Sequence, residues 1–224
     1  MTHHIIKSLA VLTLSVMLIG TASAQENEAG KQKINPWIEF NLGVSFLDGS
    51  DGFNDHMQTY HPTLDYRSAY SAAAQIGVGL GMEYRRFTLG IHLNGMADNI
   101  LSVKNQLVKK QDNLYHLDLG YRFDLGKNYT LEPTAGFGLG VSDIFLSSSR
   151  GGTDYVNSFS TANLALPLTI NFWHGKNGKE IGLYVQYIIS VGQVGKAHIT
   201  GLDTEVDDLN FLPATLTLGW KYRF

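Results

Sequence analysis

Two histidines and an aspartate, His92, His116 and Asp118, are the residues of this 224-residue chain whose types and spacing suit proton transfer. His116 and Asp118 are two positions apart, so on an extended strand they share a face, and a carboxylate beside an imidazole is the orienting half of base-assisted hydrolysis. The nucleophile would have to come from serines such as Ser45, Ser71 or Ser142. No nucleophile and base are arranged in sequence as hydrolysis needs, and no catalytic residue is assigned. A bonded interior network explains the pair more simply, with Glu39, Glu83, Arg122, Glu132, Lys221 and Arg223 as further members on the same kind of face.

Metal and cofactor chemistry find as little support, and neither a metal-binding nor a cofactor-binding residue is assigned. The chain has no cysteine, which removes thiolate sites and disulfides. The segment "DGSDGFNDH", Asp48 to His56, is rich in oxygen donors but lacks the glycine and distal glutamate spacing of a calcium loop. Lys104, Lys109 and Lys110 stand in one polar stretch and Asp203, Glu205, Asp207 and Asp208 in another, which makes neither a binding site.

The elements that must position these residues are strands. Eight segments alternate with period two, and no helical stripe of comparable length interrupts them. In "WIEFNLGVSF", Ile38, Phe40, Leu42, Val44 and Phe46 oppose Glu39, Asn41, Gly43 and Ser45. In "YSAAAQIGVGLGMEY", Ile76, Val78, Leu80, Met82 and Tyr84 oppose Gln75, Gly77, Gly79, Gly81 and Glu83. The rule repeats in "FTLGIHLN", "YHLDLGYRF", "LEPTAGFGLGV", "NLALPLTINF", "IGLYVQYIISV" and the last segment, "LTLGWKYRF".

The charges share a face with the glycines, and the opposite face is almost purely apolar. In a water-soluble barrel the charges would point out. Here an all-β, eight-stranded antiparallel up-and-down transmembrane barrel is expected, with the apolar face against lipid. Its interior would be just wide enough for side chains, so that long ones such as Arg122, Tyr184 and Lys221 need small neighbours such as Gly79, Gly136 and Gly138. Aromatics fall in two bands, Tyr84, Phe87, Tyr121, Phe123, Tyr129, Phe172, Trp220, Tyr222 and Phe224 near one rim, Phe46, Tyr70, Phe145, Phe159 and Phe211 near the other.

Connection lengths give the same picture. "RR", "GKN" and "GKNG" are short turns, the first without Asn-Gly chemistry and therefore expected to be slightly longer, while polar stretches at about 48–69, 98–112, 146–160 and 195–209 are long loops. A three-residue turn at Gly126 to Asn128 would set Leu125 against Tyr129 and Arg122 directly opposite Glu132, an ion pair joined by Glu83 or Lys221.

The N-terminus reads as a targeting signal. "MTHHIIKSLAVLTLSVMLIGTASA" has one basic residue, Lys7, an apolar run from Leu9 to Ile19 shorter than a spanning helix, and a small-residue site, so residues 1–24 read as a cleaved signal peptide. Residues 25–36 form a polar lead-in and residues 37–224 the barrel. Without Lys7 the chain has 16 basic and 20 acidic residues, a net charge of −4, which argues against nucleic acid as a partner.

The ending, with Leu216, Leu218, Trp220, Tyr222 and the terminal Phe224 at alternate positions, resembles the C-terminal signal of bacterial outer-membrane barrels. Together with the signal peptide and eight strands, the mature chain resembles the small barrels of the OmpA transmembrane domain, OmpX and opacity type, without a soluble domain after the barrel. That resemblance implies an outer-membrane, Gram-negative-type location, both termini in the periplasm, a monomer without cofactors, recognition by the barrel-assembly machinery, and contact with outer-membrane lipid and lipopolysaccharide. The expected role is structural or adhesive, through external loops whose ligand or surface partner is unknown, and not enzymatic. The alternatives are a narrow channel for small or apolar solutes and a lipid A modifying enzyme.

Overall fold

The computed structural model describes residues 34–48, 72–97, 101–103, 106–148, 155–176, 179–194, 197–200, 204–206 and 214–224. These form twelve strands and, among the described residues, no helix: β1 (Ile34–Asp48), β2 (Ala72–Tyr84), β3 (Phe87–Ala97), β4 (Leu101–Val103), β5 (Gln106–Tyr121), β6 (Phe123–Gly126), β7 (Tyr129–Ser148), β8 (Tyr155–Lys176), β9 (Lys179–Gln193), β10 (Ala197–Thr200), β11 (Thr204–Val206) and β12 (Ala214–Arg223). Around the ring the order is β1, β2, β3, β5, β7, β8, β9 and β12, every neighbour antiparallel. The last strand then pairs back to the first, Glu39 opposite Arg223 and Gly43 opposite Gly219, so the sheet closes on itself as an eight-stranded barrel with no edge. Residues 1–24, expected to be a signal peptide, and the Asp48–His56 segment beyond Asp48 lie outside the described residues.

β5 and β6 are one stave interrupted at Arg122. The cause is Pro133 on β7, which has no N–H to donate to this neighbour, and the pairing resumes at Phe123 opposite Leu131. Pro167 on β8 interrupts the β7–β8 ladder in the same way, between the Ala135–Leu168 and Gly138–Ala165 pairs.

Two turns differ from the sequence expectation. Tyr84 pairs with Phe87, so Arg85–Arg86 is a two-residue turn and not a longer one; Arg85 takes a left-handed conformation (φ 60°) that glycine usually fills. Gly126 pairs with Tyr129, so the second turn is the two residues Lys127 and Asn128, both at positive φ (49° and 73°), with Leu125 bulged out beside Gly126 (φ 83°). The bulge offsets the shorter turn, which leaves Arg122 beside Glu132 as expected.

The strands are also longer than the alternation suggests. β5 begins at Gln106 and β8 at Tyr155, inside stretches whose polarity reads as loop, and β1 begins at Ile34, ahead of Trp37. Gln106 to Asp112 pair with Ser148 to Ser142. These ends have no apolar band to reveal them because they continue the ladder beyond it.

The outward face carries Ile76 (68% exposed), Trp220 (61%), Leu119 (60%) and Phe137 (58%), among many other apolar residues, while Glu39, Glu132, Asn163 and Thr217 are buried inside. Water would penalise that arrangement by about 25 cal/mol for each Å² of apolar surface, whereas lipid does not, and closure removes the open sheet edge whose backbone groups would otherwise face hydrocarbon.

Candidate functional site

The interior is filled in three layers. Nearest the short turns lies a charged layer in which four carboxylates, Glu39, Glu83, Glu132 and Glu180, meet the three cations Arg122, Lys221 and Arg223. Arg223 is its hub. Its Nη2 donates to Glu39 Oε2 at 2.9 Å and its Nη1 to Glu132 Oε2 at 2.8 Å. The guanidinium lies 4.3 Å from the ring centroids of both Trp37 and Trp173. Lys221 Nζ is 2.9 Å from Glu39 Oε1 and 4.9 Å from the Tyr184 ring centroid. Glu132 also accepts from Trp173 Nε1 at 3.0 Å and from Thr88 Oγ1 at 3.1 Å.

The expected Arg122–Glu132 ion pair is present, joined by Glu83 as expected, but it is the longest contact that either residue makes. Arg122 Nε is 3.9 Å from Glu132 Oε2, while Arg122 donates to Glu83 at 3.0 Å and to Glu180. Glu132 turns more closely to Arg223, and Lys221 to Glu39. Glu180, Trp37 and Trp173 are members of this layer that the sequence reading misses. Glu180 has the parity of Gly182 and Tyr184, both inward, which is the signal that would place it.

Above this layer the groups are hydrogen-bonded without strong cations. Asn41 Nδ2 donates to Asn94 Oδ1 at 2.9 Å, Asn94 Nδ2 to His116 Nε2 at 2.9 Å, and His116 Nδ1 lies 2.6 Å from Asp118 Oδ1. Because an amide nitrogen only donates, Nε2 is the accepting nitrogen and the proton sits on Nδ1, facing Asp118. His92 stacks on His116 with ring centroids 5.0 Å apart and lies 3.7 Å from both Glu39 and Asp118. Asn94 thus stands where hydrolysis would need a nucleophile. Ser45 is elsewhere, bonded to Gln75 and Thr217, and Ser142 is a buried residue of β7 near the loop end. Ser71 lies outside the described residues.

The third layer sets an apolar cluster among buried polar groups such as Gln75, Asp112, Asn163 and Thr215. Ala73, Met96, Leu114, Ala165 and Ile188 pack together inside the barrel toward the long-loop end, each 4% exposed or less. Glycines make room for the large interior groups: a Cβ on Gly43 would stand 2.6 Å from the Tyr184 hydroxyl, and one on Gly136 would collide with Asp118 Oδ1. A void beside Trp37, His92, Asp118, Asn171 and Arg223 measures about 10 Å³, room for one water. Trp37 Nε1, Thr134 Oγ1 and Asn171 Oδ1, on residues lining it, have no protein partner. Among the described residues no group of three or more His, Asp or Glu is placed to hold a metal ion.

Closure of eight antiparallel strands, apolar outside and charged within, decides the class. The fold is that of a small outer-membrane barrel. Neisserial surface protein A is similar over 84% of this chain and 95% of its own, at 9% identity and a TM-score of 0.55. A major outer membrane protein of Thermus thermophilus is similar over 84% and 99%, at 10% identity and 0.50. Ail, the attachment invasion locus protein of Yersinia pestis, aligns over 87% and 100%, at 16% identity and 0.41. At these identities the likeness is one of fold. No protein-family model matches the barrel's sequence, and no curated protein matches it.

Proposed function

We propose that this chain is an outer-membrane protein with an occluded lumen, serving envelope structure or surface interaction through its long-loop end. The observation that carries the reading is the blocked interior: the Arg223 cluster fills one end, and Met96, Leu114 and Ile188 fill the other. A path for polar solutes would have to cross both. In this reading residues 1–24 are removed on export, the short turns and both termini face the periplasm, and the barrel works as a monomer in contact with outer-membrane lipid and lipopolysaccharide. It has no catalytic role, because the His116–Asp118 pair is committed to Asn94 and to the network around it.

The outward face of β12, with Leu216, Leu218, Trp220 and Tyr222, and Phe224 beyond it, serves as the signal read by the assembly machinery. Phe224 is held to Ile38 by two backbone hydrogen bonds and lies against Phe40, ring centroids 5.9 Å apart. The test of occlusion is electrical. Barrel inserted into planar bilayers under an applied potential gives no current above that of protein-free membrane; discrete, reproducible open steps would overturn the reading in favour of a channel.

A further inference from the structure

The chain is anionic as a whole, with a formal charge of −3, yet one end of the barrel is cationic. Every exposed lysine or arginine whose side chain the structure describes lies at the short-turn rim: Arg85 and Arg86 in one turn, Lys127 in the next, and Lys179 at the start of β9. Among the described residues the exposed side-chain carboxylate of that rim, Asp124, is bound to Arg86 at 3.0 Å. Glu83 and Glu180 are turned inward onto Arg122, which withdraws their charge from the outer surface. Arg85, Lys127 and Lys179 are left facing outward without a carboxylate in any described ion pair.

The belt next to these cations is aromatic. Tyr84, Phe87, Phe123, Tyr129, Phe172, Tyr222 and Phe224 are between 39% and 53% exposed, and Arg85 lies over the Tyr84 ring at 5.5 Å. Tyrosine and phenylalanine at such a level mark the boundary between hydrocarbon and headgroups. Cations one turn beyond that boundary stand at the depth of lipid phosphates, where a basic residue near an anionic surface is attracted to it.

We propose that the short-turn rim, through Arg85, Lys127 and Lys179, is a binding surface for the headgroups of anionic phospholipids in the leaflet it touches. The inference rests on the membrane-inserted reading of the barrel. The surface selects charge and not a particular headgroup, since flexible side chains on separate turns make point contacts with phosphate and have no shared pocket.

The test uses the refolded full barrel in phosphatidylcholine bilayers carrying a trace of spin-labelled phosphatidylglycerol or spin-labelled phosphatidylcholine, with the motionally restricted lipid read by electron paramagnetic resonance. The expected result is roughly fivefold preference for the anionic lipid. The preference falls as salt is raised, is lost in the triple variant Arg85→Gln, Lys127→Gln, Lys179→Gln, and is kept when Lys104, Lys109 and Lys110 are changed to Gln. Equal restriction of the two lipids, or a preference that survives the turn variant or disappears in the loop variant, would overturn the proposal. Should the turn variant fail to insert, the salt titration on the unaltered barrel decides, and a preference indifferent to salt overturns it. Failure of the membrane reading itself looks different: neither lipid would show a restricted component.

Discussion

Arg223 Nη1 lies 2.8 Å from Glu132 Oε2, joining the closing strand β12 to β7, three staves away around the ring. With Lys221, Arg223 supplies two of the three cations of the charged layer, and both stand on the strand that completes the barrel. Before β12 docks, Glu39 and Glu132 have no partner of their own among these two cations. Closure of the sheet and neutralisation of the interior are thus one event.

Arg223→Gln therefore leaves carboxylates buried without their main counter-charge, and the expected loss is about 3 kcal/mol in reversible unfolding from lipid or detergent. Adding Glu132→Gln recovers part of it, with a coupling of about 1–3 kcal/mol in a double-mutant cycle. The same cycle with Arg122 and Glu132 gives a smaller coupling, about 0.5–1 kcal/mol, since those groups meet at 3.9 Å and Arg122 is held more closely by Glu83 and Glu180. A larger coupling for Arg122 than for Arg223 would contradict the network described.

Much of this arrangement is legible in the sequence because period two assigns every strand residue to one of two faces. Ile76, Phe137 and Trp220 face out, and Glu39, His116 and Arg223 face in, as alternation alone requires. Which cation meets which carboxylate is another matter. Arg223 meets Glu132 through the tilt and stagger of closure, neither of which alternation contains, so local register alone favours Arg122. Pro133 hides the break between β5 and β6, because its missing N–H acts on a neighbouring strand and leaves β7 itself continuous. Glu180 has the right parity but adjoins a turn, and an apolar pattern that begins at Ile181 starts the strand too late to include it.

Glycine substitutions separate close packing from mere presence in a strand. Gly136→Ala forces a Cβ into Asp118 Oδ1, with Leu117 O at 2.8 Å and Pro167 Cγ at 2.9 Å, and displaces the carboxylate that holds His116. The expected cost is about 1–3 kcal/mol. Gly192→Ala meets nothing within 4 Å and should stay within about 0.5 kcal/mol of the unaltered protein. Parallel urea titrations of the two variants in the same lipid check this, and equal losses would show that the interior at Gly136 is looser than described.

The central claim is that the barrel is inverted, with its apolar face in lipid and its charges within, and the three tryptophans of the chain test it most directly. Trp220 faces out at 61% exposure, while Trp37 and Trp173 are inside at 6% and 0%. In bilayers of lipids brominated on the acyl chains, fluorescence of the unaltered protein should be strongly quenched, and most of that quenching should vanish in the conservative variant Trp220→Phe. Quenching that is absent in the unaltered protein, or that persists undiminished in Trp220→Phe, would place the wrong face against the membrane and contradict the account.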